Sequence, residues 1–239
     1  MTAAGAKARK TVYSFDANGQ DTRNTPRDAY HLARGGEIGL QPYDAEGRPL
    51  RTAKLSRPLD FTVVTDHSEM LGEIEMCSTP GTPGYGSDLC WVYQNFRPAT
   101  FTYFAVRNMI QRHRFEFCGK GGERCLEQAE VVWKDIQAAA EENYDRTAQC
   151  SFTSFVGYEW TASGAAGANL HRNVIFRNAN VPKRPVSSVE STSAFDLWQK
   201  LQKGCIEGTK GCDALTIPHN SNLSSAPGLI FQSARLPLA

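Results

Sequence analysis

The sequence predicts an α/β fold with a largely parallel sheet or barrel. Two observations predict it. Short apolar, β-branched runs alternate along the chain with longer stretches of helical periodicity. Several of those runs stop abruptly on histidine or carboxylate side chains, the arrangement in which strands of such a sheet deliver chemistry to one rim. The chain has 239 residues, 41% of them hydrophobic and 10% aromatic, enough for a core in one large domain or two small ones.

Residues 1–24 are polar and predict no regular element. NTPRDAYHLARGG, from Asn24, predicts a helix: Thr25 caps it, Pro26 suits the first turn, and Gly35 with Gly36 stops it. GLQPYDAEGRPL predicts a strand pair with a turn at Glu46 and Gly47. FTVVTDHSEMLGE, 61–73, starts as a buried strand and breaks into a polar cluster at Asp66 and His67, with Ser68, Glu69 and Glu73 behind them. A Pro/Gly loop follows over 78–88, then helical stretches over 91–115 and 123–145. SFVGYEWT (154–161), NVIFRN (173–178) and DALTIPH (213–219) predict three more strands. Between the last two, TSAFDLWQKLQKG predicts a helix with Phe195, Leu197, Trp198 and Leu201 inward.

A formal charge of +1 gives no electrostatic case for a nucleic-acid partner. No run reaches the apolar length of a membrane span. The start, MTAAGAKARK, has basic residues with no apolar stretch behind them, so it does not make a complete signal peptide. The seven cysteines include three near pairs, Cys77 with Cys90, Cys118 with Cys125 and Cys205 with Cys212, each around a Gly-rich or polar loop. Loops of that kind bring sulfurs within bonding reach. Zinc ligation is the rival reading, but the spacings do not match the short knuckle pattern. Local disulfides are favoured, hence an oxidising compartment, with Cys150 left free.

The strand ends carry the chemistry. DFTVVTDH ends in Asp66 and His67, SFVGYEW carries Glu159, DALTIPHN ends in His219 and Asn220, and LHRNVIF opens with His171. A histidine or glutamate at one strand end is often structural. Imidazoles and carboxylates gathered from several strands are the donor set of zinc, manganese or iron.

TDH after an apolar strand, a Glu-bearing strand and a later strand ending in PHN resemble the PHP metallohydrolases, named for polymerase and histidinol phosphatase. YSFDA, NTPRDAYHLARGGEIGLQPYDAEGRPLRTAKLSRPLDFTVVTDHSEMLGE, CSTPGTPGY, GYEWT, LHRNVIFRN and TIPHNSN resemble more closely a bacterial family in that orbit, the domain of unknown function 3604 family. The resemblance runs over nearly the whole chain from Thr11. It implies a distorted β/α barrel of PHP type with disulfide-bearing loop insertions. It also implies two or more divalent ions that activate water for in-line attack on a small anionic substrate, commonly a phosphoester. By the same resemblance His67, Glu159, His171 and His219 would bind metal, and Glu159 would bridge two ions. Asp66 would be a ligand or stand just behind one, and Asn220 would orient water or a substrate oxygen. Arg172 would meet the anionic substrate, and His31 and His113 are read as solvated.

The chain departs from that pattern at both ends. A His-x-His-Thr motif is expected just before YSFDA, and aligning its threonine with Thr11 puts Ala8 and Lys10 where the histidines belong. A last Asp-x-His motif is not found after TIPHNSN. The expected division is an atypical N-terminal segment over 1–10, an incomplete PHP-like domain over 11–232, and an atypical C-terminal tail over 233–239. The expected function is a metal-dependent hydrolase of PHP type, periplasmic or secreted in its complete form, and impaired in this chain. The alternatives are a catalytically inactive metal- or ligand-binding protein, and a secreted disulfide-bearing interaction domain.

Overall fold

The computed structural model describes residues 23–96, 100, 103–104, 107, 112–163 and 169–218. Helix α1, Pro26–Ala33, starts as its sequence dictates. Thr25 accepts from the Asp28 N–H while the Asp28 carboxylate accepts from the Thr25 N–H, a reciprocal cap that satisfies two backbone donors at the helix start. The chain then forms an antiparallel hairpin of β1, Glu37–Tyr43, and β2, Pro49–Lys54. Strand β3, Phe61–Val63, leads through the TDHSEM segment into α2, Leu71–Ser78, and α3, Asp88–Asn95.

Two short 3₁₀ turns, Glu116–Cys118 and Lys120–Gly122, precede the long helix α4, Glu123–Asn143. Residues 112–115 are not helical, so the helix expected over 91–115 does not reach its predicted end. Strands β4, Thr153–Phe155, β5, Gly157–Ser163, and β6, Asn169–Phe176, follow. Helix α5, Ala194–Leu201, continues as a π-turn over Gln202–Glu207 before β7, Ala214–Pro218. Leu197 and Leu201 of α5 are buried as expected, but Phe195 is 63% exposed: it stands off the stripe that they form.

Mixed helix and sheet fit the α/β expectation; among the described residues the largely parallel sheet and the barrel do not appear. Among the described residues only β3 pairs in parallel, with β4, while β5, β6 and β7 form an antiparallel sheet, and no closed barrel is seen. For β5 and β6 the reason is the length of their connection. Residues 164–168 are all that separate β5 from β6, whereas a parallel crossover needs about a dozen residues or more. The β3-to-β4 crossover does carry helices, and there the pairing is parallel.

The parallel register outlasts the short strands. Phe61 faces Thr153, Val63 faces Phe155, and an isolated bridge then pairs His67 with Glu159 in the same register. Ser68 N–H donates to the Glu159 carbonyl and Glu159 N–H to that of Asp66, both at 2.8 Å. At the other end, Phe176 N–H donates to Val156 at the β4–β5 junction. Strands β3, β4–β5, β6 and β7 therefore lie side by side in that order.

One core lies between the sheet and α4. The β5 residues Tyr158, Trp160 and Ala162 and the β6 residues Val174 and Phe176 are buried on one sheet face. Ala129, Val132, Trp133, Ile136 and Ala140 of α4 pack against them at the three-and-four spacing of one helix stripe. Tyr30 ties α1 to this core: its hydroxyl donates to Phe155 O at 3.0 Å and accepts from Val64 N–H at 3.3 Å. Burial pushes that phenol up to about 12. A second core gathers Met70, Ile74, Met76, Tyr93, Phe104 and Phe115 around two disulfides, Cys77–Cys90 and Cys118–Cys125. The third disulfide, Cys205–Cys212, closes the π-turn, and Cys150 is free and exposed.

Helices α2 and α4 meet at Gly72, where a Cβ would stand 1.7 Å from the Cys125 carbonyl oxygen. Backbone on backbone cannot yield as a side chain can. Gly72→Ala should therefore destabilise by at least the ~1–3 kcal/mol typical of overpacking, read from denaturant unfolding. An unchanged midpoint would contradict the close approach. Thiol titration of the denatured, unreduced chain should find one reactive sulfur, that of Cys150; three or more would show that a bridge is absent.

Candidate functional site

The pleat of β5 and β6 separates the core from the chemistry. Alternate residues point to opposite faces, so Glu159 and Thr161 of β5 share one face with their register partners Asn173 and His171 of β6. The TDHSEM segment comes alongside β5 through the parallel bridge and brings His67 to that face. The result is a buried cluster. His67, Glu159 and His171 are each less than one-tenth exposed, and one potential ligand atom from each lies within 4.8 Å of the others.

Its hydrogen bonds are dense. His171 Nδ1 stands 2.7 Å from Glu159 Oε1 and 2.9 Å from the Thr161 hydroxyl. Thr161 Oγ1 donates to Glu159 Oε1 at 3.1 Å and lies 3.1 Å from His67 Nδ1. His67 Nε2 is 3.8 Å from Glu159 Oε1, and the two imidazole rings meet edge to face at 6.1 Å. Three further oxygens near the cluster, Asp66 Oδ2, Glu69 Oε2 and Asn173 Oδ1, are buried without a hydrogen-bond partner. Burial pushes the Asp66 carboxyl up to about 6, with His67 working against the rise and Glu159 adding to it. A cation nearby would pull it down again.

The sequence-expected residues divide as follows. His67, Glu159 and His171 come together, with Asp66 adjacent in the chain. His171 takes its place because β6 starts earlier than NVIFRN suggested, which puts it inside the strand opposite Thr161. Arg172 falls on the opposite pleat from His171; it is buried, its Nη1 donates to the His171 carbonyl at 2.8 Å, and burial lowers its guanidinium. His219 and Asn220, like Ala8 and Lys10, lie outside the described residues; β7 is described up to Pro218, the register partner of Arg172. His31 and His113 are exposed. Sequence reading missed Thr161, Glu69 and Asn173. The alternation in GYEWT, with apolar Tyr158 and Trp160 against polar Glu159 and Thr161, was the signal for the first.

A second group, Glu73 with Cys118 and Cys125, is also compact, but its sulfurs are bonded to each other and cannot ligate. Glu73 instead holds Arg114, whose Nη1 lies 2.8 and 3.0 Å from the two carboxylate oxygens, while Arg114 Nη2 pairs with Glu190. Burial alone would lower the Arg114 guanidinium, but Glu73 and Glu190 together hold it above its ordinary value. This network pins the 186–190 loop, which Tyr158 also anchors by accepting from Val186 N–H. The turn between cluster and network is strained: Met70, fully buried, has φ 63°, a left-handed conformation that costs a non-glycine residue about 1–3 kcal/mol.

Arg114→Ala would leave the Glu73 carboxylate, which is completely buried, without its cation. Breaking one side of a buried pair costs about 3–5 kcal/mol, and the lower end applies because Glu190 is one-third exposed. Urea unfolding should show that loss. A shift below ~1 kcal/mol would mean the network is not a structural brace.

No curated protein matches the chain, and no solved structure matches it. One family model does, over residues 5–237, and its description is "Protein of unknown function (DUF3604)". By that match over nearly its whole length, the chain belongs to the DUF3604 family of proteins of unknown function.

Proposed function

We propose that the protein is a divalent-metal-dependent hydrolase of PHP type acting on a small anionic substrate, a phosphoester foremost. The observation that carries this reading is the buried His67–Glu159–His171 cluster, with potential ligand atoms within 4.8 Å of one another. Two imidazoles and a carboxylate are a donor set that zinc, manganese and iron accept. The oxygens of Asp66 and Asn173 that are buried without a hydrogen-bond partner also favour a cation, because buried acceptors without donors are rare in folded proteins.

His67, Glu159 and His171 would hold the ion, with Asp66 beside them. A divalent cation there supplies Lewis acidity, polarising an ester oxygen and making water nucleophilic near neutral pH. The chain's own groups orient and shield. Thr161 and His171 fix Glu159 Oε1, and the buried rings of Tyr158 and Trp160 close the back of β5 against solvent. The three disulfides support an oxidising compartment, periplasmic or extracellular. No helix among the described residues is long and apolar enough to cross a membrane.

The test is calorimetric titration with zinc and with manganese, alongside hydrolysis of a panel of chromogenic phosphoesters. The chain should take up at least one ion. His67→Ala and His171→Ala should each weaken binding by more than the ~10–100-fold that loss of an outer partner costs. Equal affinity in the variants would overturn the metal site. Tight binding with no hydrolysis of any ester would leave a metal-binding protein and overturn the hydrolase.

A further inference from the structure

Disulfides are made from thiols, and a chain that carries three of them passes through a state in which their sulfurs are free. Cys118 and Cys125 lie among further donors. Cys125 Sγ is 3.3 Å from the thioether sulfur of Met76, and Cys118 Sγ is 3.7 Å from Glu73 Oε1. Glu73 and Met76 stand three residues apart on α2, so both reach the same side of that helix. None of the four residues has any exposed area. Donor atoms of Glu73, Cys118 and Cys125 lie within 4.8 Å of one another.

We propose that Cys118 and Cys125, once reduced, form with Met76 a three-sulfur site for copper(I). Reduction by a dithiol adds two electrons and two protons to the bridge and leaves two thiols, while the dithiol closes to its own disulfide. Copper(I) then displaces both protons, bonds to the two thiolates and takes the Met76 thioether as its third donor. Thiolate with thioether is the soft set that selects this ion. The carboxylate is the hard donor of the group, and it is already engaged: Arg114 Nη1 lies 2.8 and 3.0 Å from the two oxygens of Glu73. Glu73 therefore stays with its guanidinium, and the three sulfurs remain. Entry is over the turns between the two cysteines, where Lys120, Gly121, Glu123 and Arg124 are exposed. Bound there, the ion holds the two cysteines together as the bridge does and adds a bond to α2.

The test uses the whole chain carrying Cys150→Ser, which removes the one sulfhydryl outside the bridges. This parent chain is reduced anaerobically with a phosphine, freed of reductant and titrated with copper(I) held by a chromogenic chelator. X-ray absorption at the copper edge counts the bound sulfurs. We expect copper with three sulfurs in the reduced chain, and none with more than one sulfur in the unreduced chain. Met76→Leu, which conserves volume, should lower the count to two and weaken uptake by more than ~10-fold, the least that losing even an outer partner costs. Cys118→Ser with Cys125→Ser should abolish the three-sulfur copper. Cys205→Ser with Cys212→Ser, a pair of the same separation, should leave it intact. Two sulfurs or fewer in the reduced parent overturns the proposal, whether or not that chain keeps its fold. So do equal affinity in Met76→Leu, three-sulfur copper that survives the loss of Cys118 and Cys125, and several sulfurs at copper in the unreduced chain. None of these outcomes depends on a metal at His67, Glu159 and His171, because an ion held by imidazole and carboxylate has no sulfur to count.

Discussion

The parallel alignment of residues 61–67 with 153–159 is the constraint on which the site depends. Its two 2.8 Å bonds between the Asp66–Ser68 backbone and Glu159 fix where the imidazole of His67 arrives. They also fix which face of β5 it meets, because a slip of one residue would turn Glu159 into the core and Trp160 toward the cluster. The apolar residues on the other pleat enforce the register: Tyr158, Trp160 and Val174 have no exposed area, and exposing aromatic side chains costs several kcal/mol. Packing of the core thus sets the geometry of the chemistry.

Around that alignment, the structure encloses charged and polar groups and supplies them with partners. Glu73 is neutralised by Arg114, Glu69 is held by two backbone donors, and the 186–190 loop is pinned by both arrangements. The strained turn at Met70 sits where these restraints meet, which accounts for its persistence. The two disulfides beside it staple a small second core that joins α2 and α3 to the start of α4. Asp66 Oδ2 and Asn173 Oδ1 stand apart from this pattern of satisfaction; Asp66 precedes His67 in the chain and Asn173 is the register partner of Glu159.

Local features were legible in the sequence. Thr25, Pro26 and Gly35 mark the ends of α1, the near pairs of cysteines are the disulfides observed, and the switch from apolar to polar at Asp66 marks the end of the first parallel strand. Non-local pairing was not. The strand carrying His171 begins several residues before its densest apolar run, and that shift turns a presumed crossover into a hairpin. Glu69 and Thr161 were hidden for a related reason: a lone polar side chain in a strand or turn reads as solvated until its backbone donors and ring partners are known. The same shift of β6 that brings His171 in sends Arg172 to the other pleat.

The account stands or falls on whether a metal occupies the face shared by His67, Glu159 and His171. Anomalous diffraction from crystals of the chain grown with zinc or manganese, collected on either side of the metal's absorption edge, tests this most directly. The account predicts a peak within coordination distance, about 2.0–2.2 Å, of an imidazole nitrogen from each histidine and an oxygen of Glu159. A fully loaded crystal with its metal peak elsewhere, and only hydrogen bonds within the cluster, would contradict it.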